Sequence, residues 1–204
     1  MTNALSKLLV AGLLAVMPAI AQPAGKIRVC VAAGGETPTL VVLGAEAIAS
    51  RMFATAGVAI EWRSKGAAAC RETAQSDTVS LELVTKTPAA NHPGALAYAQ
   101  PYQGSEIVVM FDRIERSAIR SSQVSNILAN VMTHEITHLL QGSARHSETG
   151  VMKAHWGQEE FALMTYHPLP FAPEDIELIR LGLARRAEGG FDTVAPPAAA
   201  TALR

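Results

Sequence analysis

Polar and apolar positions alternate through residues 26–32 (Lys-Ile-Arg-Val-Cys-Val-Ala), the period of a strand with one face buried. Pro38 then offers a fixed φ suited to a helix start. Residues 40–56 carry apolar side chains at helical spacing, with Glu46, Ser50 and Arg51 on the polar side, until Gly57 stops the pattern. Residues 58–63 and 79–85 read as two further strands. Strand, helix, strand in this order predicts a right-handed crossover and a partly parallel sheet.

A turn-rich loop follows at residues 88–93. Residues 94–101 are small and bracketed by prolines, which suits an edge strand, and 106–113 read as a buried strand. Ser121 or Ser122 caps the next helix, which runs to about residue 141 with Val124, Ile127, Leu128 and Val131 as its buried stripe. Residues 171–186 form a C-terminal helix with Glu174 and Asp175 in its first turn and Arg185 and Arg186 in its last. The Ala/Pro-rich stretch 189–204 reads as a frayed, disordered tail.

The first residues change the compartment. Lys7, the apolar run 8–16, Pro18 and Ala19-Ile20-Ala21 match a secretory signal peptide, residues 1–21, cleaved after Ala21, with an uncleaved N-terminal anchor as the alternative. The run is too short for a comfortable span, so no stable membrane insertion is expected after cleavage. Export favours pairing the two cysteines, Cys30 and Cys70, with two buried free thiols as the alternative. The full 204-residue chain is 49% hydrophobic and 17% charged, enough for one domain over residues 22–188. A net charge of -1 gives no reason to expect nucleic acid or an anionic membrane as partner.

The chemistry lies in His134-Glu135-Ile136-Thr137-His138, an H-E-x-x-H string at the end of the long predicted helix. Residues four apart share a helix face, so His134 and His138 can place two imidazoles on one cation. Glu135 stands a helical step round, placed to act on water without ligating the metal. A catalytic zinc needs three protein ligands. Gly142 ends the apolar run where a helix C-cap needs the left-handed conformation, and His146 follows within reach of a reversing chain. His155 and His167 are rival third ligands, and Glu159 or Glu160 would make the site a glutamate-type one. His92 reads as a loop histidine.

The string resembles the metzincin clan of zinc peptidases, whose pattern is H-E-x-x-H-x-x-G-x-x-H followed by a Met-turn. Gly142 and His146 fall on its second part and Met152 on the Met-turn, and His146-Ser147 is similar to the matrix-metalloproteinase branch. Here Gly142 comes one residue late and His146 two, while the segment to Met152 is correspondingly short. A longer string, H-E-x-x-H-L-L-x-G-x-x-x-H-S-x-x-G-V-M, is also similar to that of small exported bacterial proteins. The resemblance implies an α+β fold: a mixed twisted sheet with two long helices, then a small C-terminal subdomain with the Met-turn and a terminal helix. It implies Zn2+ on His134, His138 and His146, with Glu135 as general base in peptide-bond hydrolysis. It also implies that residues 94–102, with Gly94, Ala95, Leu96, Ala97 and Tyr98, hold a peptide or protein substrate through main-chain hydrogen bonds. An ordinary sheet edge is the other reading of that stretch. Met152 is either a thioether floor under the ligands or core filling, with Trp156 near it, and Tyr166 is a candidate oxyanion donor. The lengthened loop leaves room for a metal-binding or interaction module that keeps the fold without turnover. A structural protein without metal is the remaining alternative. Strand-like sequence begins about five residues after the cleavage point, and Cys30 lies within it. No inhibitory pro-segment is therefore expected, and the mature chain should be constitutively open or weakly active.

Overall fold

The computed structural model of the chain describes residues 25–71, 78–101, 105–188 and 201–203. The expected signal peptide and Tyr102 lie outside the described residues. Strand β1 (Gly25–Ala33) leads into helix α1 (Thr39–Thr55), and β2 (Val58–Ser64) returns beside it. Next come β3 (Thr78–Val84), β4 (Ala97–Ala99) and β5 (Glu106–Met110). Helices α2 (Phe111–Ser117), α3 (Val124–Gln141), α4 (Gln158–Leu163) and α5 (Pro173–Ala187) follow, and β6 (Thr201–Leu203) comes last.

The sheet order is β2-β1-β3-β5-β4-β6. β1 pairs parallel with β2 and β3, and β3 parallel with β5, in registers such as Val29↔Trp62, Val31↔Leu81 and Leu83↔Val109. The inner strands read as apolar because they are covered: Ile27, Val29, Val79, Leu81 and Ile107 are buried. β4 pairs antiparallel with β5, which makes the sheet mixed. α1 and α3 pack on each other, and α3 also runs against β4 and β5. Met52 and Phe53 of α1 and Ile127, Leu128 and Val131 of α3 belong to one buried core. Cys30 and Cys70 are disulfide-bonded across 40 residues, tying β1 to the 3-10 turn after β2.

Four local expectations need correction. Residues 111–113 start a helix rather than extending β5. The Arg113 guanidinium there donates to the carbonyls of His92, Ala95 and Asn91 and organises the preceding loop. α3 begins at Val124 with no serine cap; it is preceded by a 3-10 turn, and Gln123 Oε1 accepts the N–H groups of Ile119 and Arg120. β4 is only three residues long, because Gly94 at φ 79° and the Ala95 N–H to His92 carbonyl bond turn the chain before it. Within the stretch read as a frayed tail, residues 201–203 form β6, which pairs with β4, so β4 is not the edge of the sheet; residues 189–200 lie outside the described residues. An exposed ladder of main-chain donors and acceptors is a template for any extended segment within reach.

Candidate metal centre

α3 delivers two imidazoles from deep inside the molecule: residues 133–138 are all buried. His134 and His138 stand one turn apart, and each holds its Nδ1 against a carbonyl oxygen. The partner is Val151 at 2.7 Å for His134 and Ser143 at 2.9 Å for His138. A carbonyl only accepts, so each Nδ1 carries the proton and each Nε2 is a bare lone pair. The two Nε2 atoms lie 2.9 Å apart.

The third imidazole arrives by a hinged return. Gly142 adopts φ 61° at the C-cap of α3, a conformation that costs a residue with Cβ about 1–2 kcal/mol. The Ser143 N–H then reaches back to the His138 carbonyl at 3.2 Å. The ring of His146 comes to rest 5.2 Å from that of His134 and 4.8 Å from that of His138, centroid to centroid. Its Nε2 is buried with no hydrogen-bond partner. One potential ligand atom from each of the three histidines lies within 4.8 Å of the others, a group able to hold a metal ion.

Ties on either side of His146 fix the lengthened loop. Ser147 N–H donates to the Met152 carbonyl at 2.8 Å, and Ser147 Oγ donates to Asp175 Oδ1 at 2.6 Å. Arg145 reaches Asp175 Oδ1 at 3.3 Å and Glu174 Oε2 at 2.5 Å. The fully buried Asp175 also accepts the Ala172 N–H at the start of α5. Beyond the loop, Gly150 sits at φ 75°, and a Cβ there would lie 2.3 Å from the Pro170 carbonyl oxygen. That close approach lets Val151 N–H bond the same carbonyl, which seats the Val151–Met152 turn beside His134.

Electrostatics favour a cation among these groups. Burial and the neighbouring His138 and His146 hold the His134 imidazole well below its ordinary range. Burial, then His146, brings His138 down to about 4. Burial, then His155, lowers His146. All three rings are therefore neutral at pH 7, the form that ligates metal. Glu135 is fully buried, neither carboxyl oxygen has a hydrogen-bond partner, and burial pushes its pKa well up. Converging lone pairs beside an unpartnered carboxyl group are costly without a cation. The donor set, three imidazole nitrogens, suits zinc.

The other candidates lie elsewhere. Glu160 is committed to Lys153 and to the N–H of Gly157, where it caps α4, and Lys153 holds its pKa down. Glu159, His155 and His167 are exposed and stand outside the histidine group, as does Tyr166, whose exposure of 85% leaves it no place in a closed site. His92 stacks on Tyr98 at 4.3 Å between ring centroids. Met152 is fully buried, and the Trp156 ring stands edge-on to His134 at 5.8 Å. Ala95, Leu96 and Ala97 are buried, while Gly94 forms the turn before β4. Sequence reasoning missed Asn130, whose amide donates to the Asn126 carbonyl and whose Oδ1 accepts the Leu169 N–H, pinning the C-terminal segment to α3. It also took Arg185 and Arg186 as charges serving their own helix; they donate to the Gln141 and Leu139 carbonyls at the end of α3.

No family model matches the chain, and no curated protein matches it. Solved structures do match. One is the crystal structure of archaemetzincin from Methanopyrus kandleri, with a TM-score of 0.52 and 16% identity over 81% of this chain and 99% of that one. The likeness establishes a metzincin-like fold and carries no preference for the matrix-metalloproteinase branch. Among the described residues, no helix is long and apolar enough to cross a membrane.

Proposed function

We propose that this chain is an exported zinc-dependent peptidase in which His134, His138 and His146 hold the ion and Glu135 is the general base. One observation carries the reading. The Nδ1 atoms of His134 and His138 are committed to carbonyls, so their neutral Nε2 atoms face each other, and His146 brings a ligand atom within 4.8 Å of the other two histidines. The metzincin-like fold and the Cys30–Cys70 disulfide support the peptidase reading and the exported compartment respectively.

Zinc in such a site supplies Lewis acidity and makes water a nucleophile near neutral pH. Glu135 takes the proton that water gives up as it attacks the peptide carbonyl, then hands it to the departing amine nitrogen. Neither of its carboxyl oxygens has a hydrogen-bond partner, which leaves both available to take up and return that proton. His134, Glu135 and His138 are fully buried, and the low local dielectric strengthens each of these interactions. Met152 closes the buried turn behind the ligands, and β4, on the side where β6 pairs with it, holds the extended peptide by its main chain once that side is open.

Glu135→Gln tests the reading. The zinc-loaded variant should keep its metal and lose about 10²–10⁴-fold in cleavage of denatured casein. Equal cleavage by the variant removes the general-base role. A zinc-loaded wild-type chain that cleaves nothing favours the binding-module alternative.

A further inference from the structure

β6 pairs antiparallel with β4 in the register Ala97↔Leu203, Tyr98↔Ala202, Ala99↔Thr201. On its other side β4 pairs with β5, and Met110 N–H donates to the Leu96 carbonyl at 2.8 Å. In an antiparallel ladder the main-chain groups of successive residues point to opposite neighbours. Leu96 and Tyr98 therefore face β5, while Ala97 and Ala99 turn their N–H and C=O groups toward β6. Both β4 and β6 run against α3, the helix that carries His134 and His138. Without β6, Ala97 and Ala99 would present an open rail of donors and acceptors, the arrangement that captures an extended peptide by strand addition.

We infer that β6, residues 201–203, is a built-in competitor that occupies the peptide-binding edge of β4. The inference rests on the proposed reading that this edge takes the substrate. Two features suit the tail to the task. β6 reads Thr201-Ala202-Leu203 and holds β4 through main-chain pairing, which does not depend on the identity of its side chains. The tether from the end of α5 at Ala187 keeps β6 at an effective concentration on the order of millimolar. A three-residue ladder is weak enough to open without unfolding the core. The tail therefore sets a threshold: a peptide that offers a longer ladder displaces it, and a short or poorly matched one does not. Of the two expected states, constitutively open or weakly active, an edge occupied until displaced corresponds to the second.

Register makes the test specific. Thr201 and Leu203 pair with the two residues that face β6, whereas the N–H of Ala202 points away from β4. In the intact chain, hydrogen exchange should show the Ala97 and Ala99 amides protected. Thr201→Pro and Leu203→Pro should each remove that protection, and Ala202→Pro should leave it in place. A labelled peptide with the sequence of residues 195–204, assayed in the Glu135→Gln background so that it is not cleaved, should bind a chain ending at Glu188 at least tenfold more tightly than the full chain. Thr201→Pro, which keeps the whole tail, should behave like the shortened chain and so controls for any folding defect of the truncation. Unprotected amides in the intact chain, or equal peptide affinity with and without the tail, overturn the inference. Neither readout uses turnover, so a chain that holds its tail as described yet cleaves nothing counts against the peptidase reading alone.

Discussion

His134 and His138 are aimed by what their far nitrogens bond. The carbonyls of Val151 and Ser143 fix both tautomer and ring orientation, and neither carbonyl is visible as a motif. The histidine spacing was readable because four residues on a helix is a geometric statement; the identity of the carbonyls depends on how the following loop folds back. Glu46 offers an independent test at this scale. It lines a cavity with Leu43, Trp62 and Arg63, and burial raises its pKa. A carboxyl group with a folded pKa above its unfolded one contributes stability below the unfolded value, and that contribution is lost as pH rises through the folded value. At pH 7 the half-buried charge is therefore a cost. Glu46→Gln should raise the urea midpoint at pH 7 and change it little at pH 4. An equal gain at both pH values would point to packing instead.

α3 and α5 form the unit that the site stands on. Gly182 lets α5 approach α3 so closely that a Cβ there would lie 1.8 Å from the Leu140 carbonyl oxygen. Arg185 and Arg186 then cover the last carbonyls of α3, and Asp175 at the other end of α5 holds Ser147 and Arg145 on either side of His146. The sequence reading found both helices and the acids opening α5, because amphipathic spacing and first-turn charge are local signals. It did not assign Asp175 to the loop, since that contact joins residues 28 apart in a turn lengthened relative to the metzincin pattern. Asp175→Asn keeps the shape and an acceptor oxygen but removes the charge opposing Arg145. Zinc affinity should fall about 10–100-fold in a chelator competition, the usual cost of losing a group that orients a ligand. Unchanged affinity would show that the loop holds His146 without it.

At the scale of the whole molecule, the parallel sheet and the crossover over α1 followed from the order of strands and helix. β6 did not, because a composition rich in alanine and proline carries no strand signal; only the vacant side of β4 gives it a partner. The short α4 was likewise unread, its first turn held by Glu160, a residue weighed instead as a ligand. The disulfide spans 40 residues and joins β1 to the turn beyond β2. Replacing Cys30 and Cys70 together by alanine should cost about 3–4 kcal/mol in urea unfolding. A loss below about 1 kcal/mol would mean the unfolded chain is little constrained by the bridge.

Metal content bears most directly on the central arrangement, three neutral imidazoles meeting around one ion. Purified chain dialysed against zinc should carry one equivalent, and His146→Ala should lower its affinity at least 100-fold while the fold, followed by circular dichroism, stays intact. Zinc held as tightly by His146→Ala as by the parent chain would contradict the account.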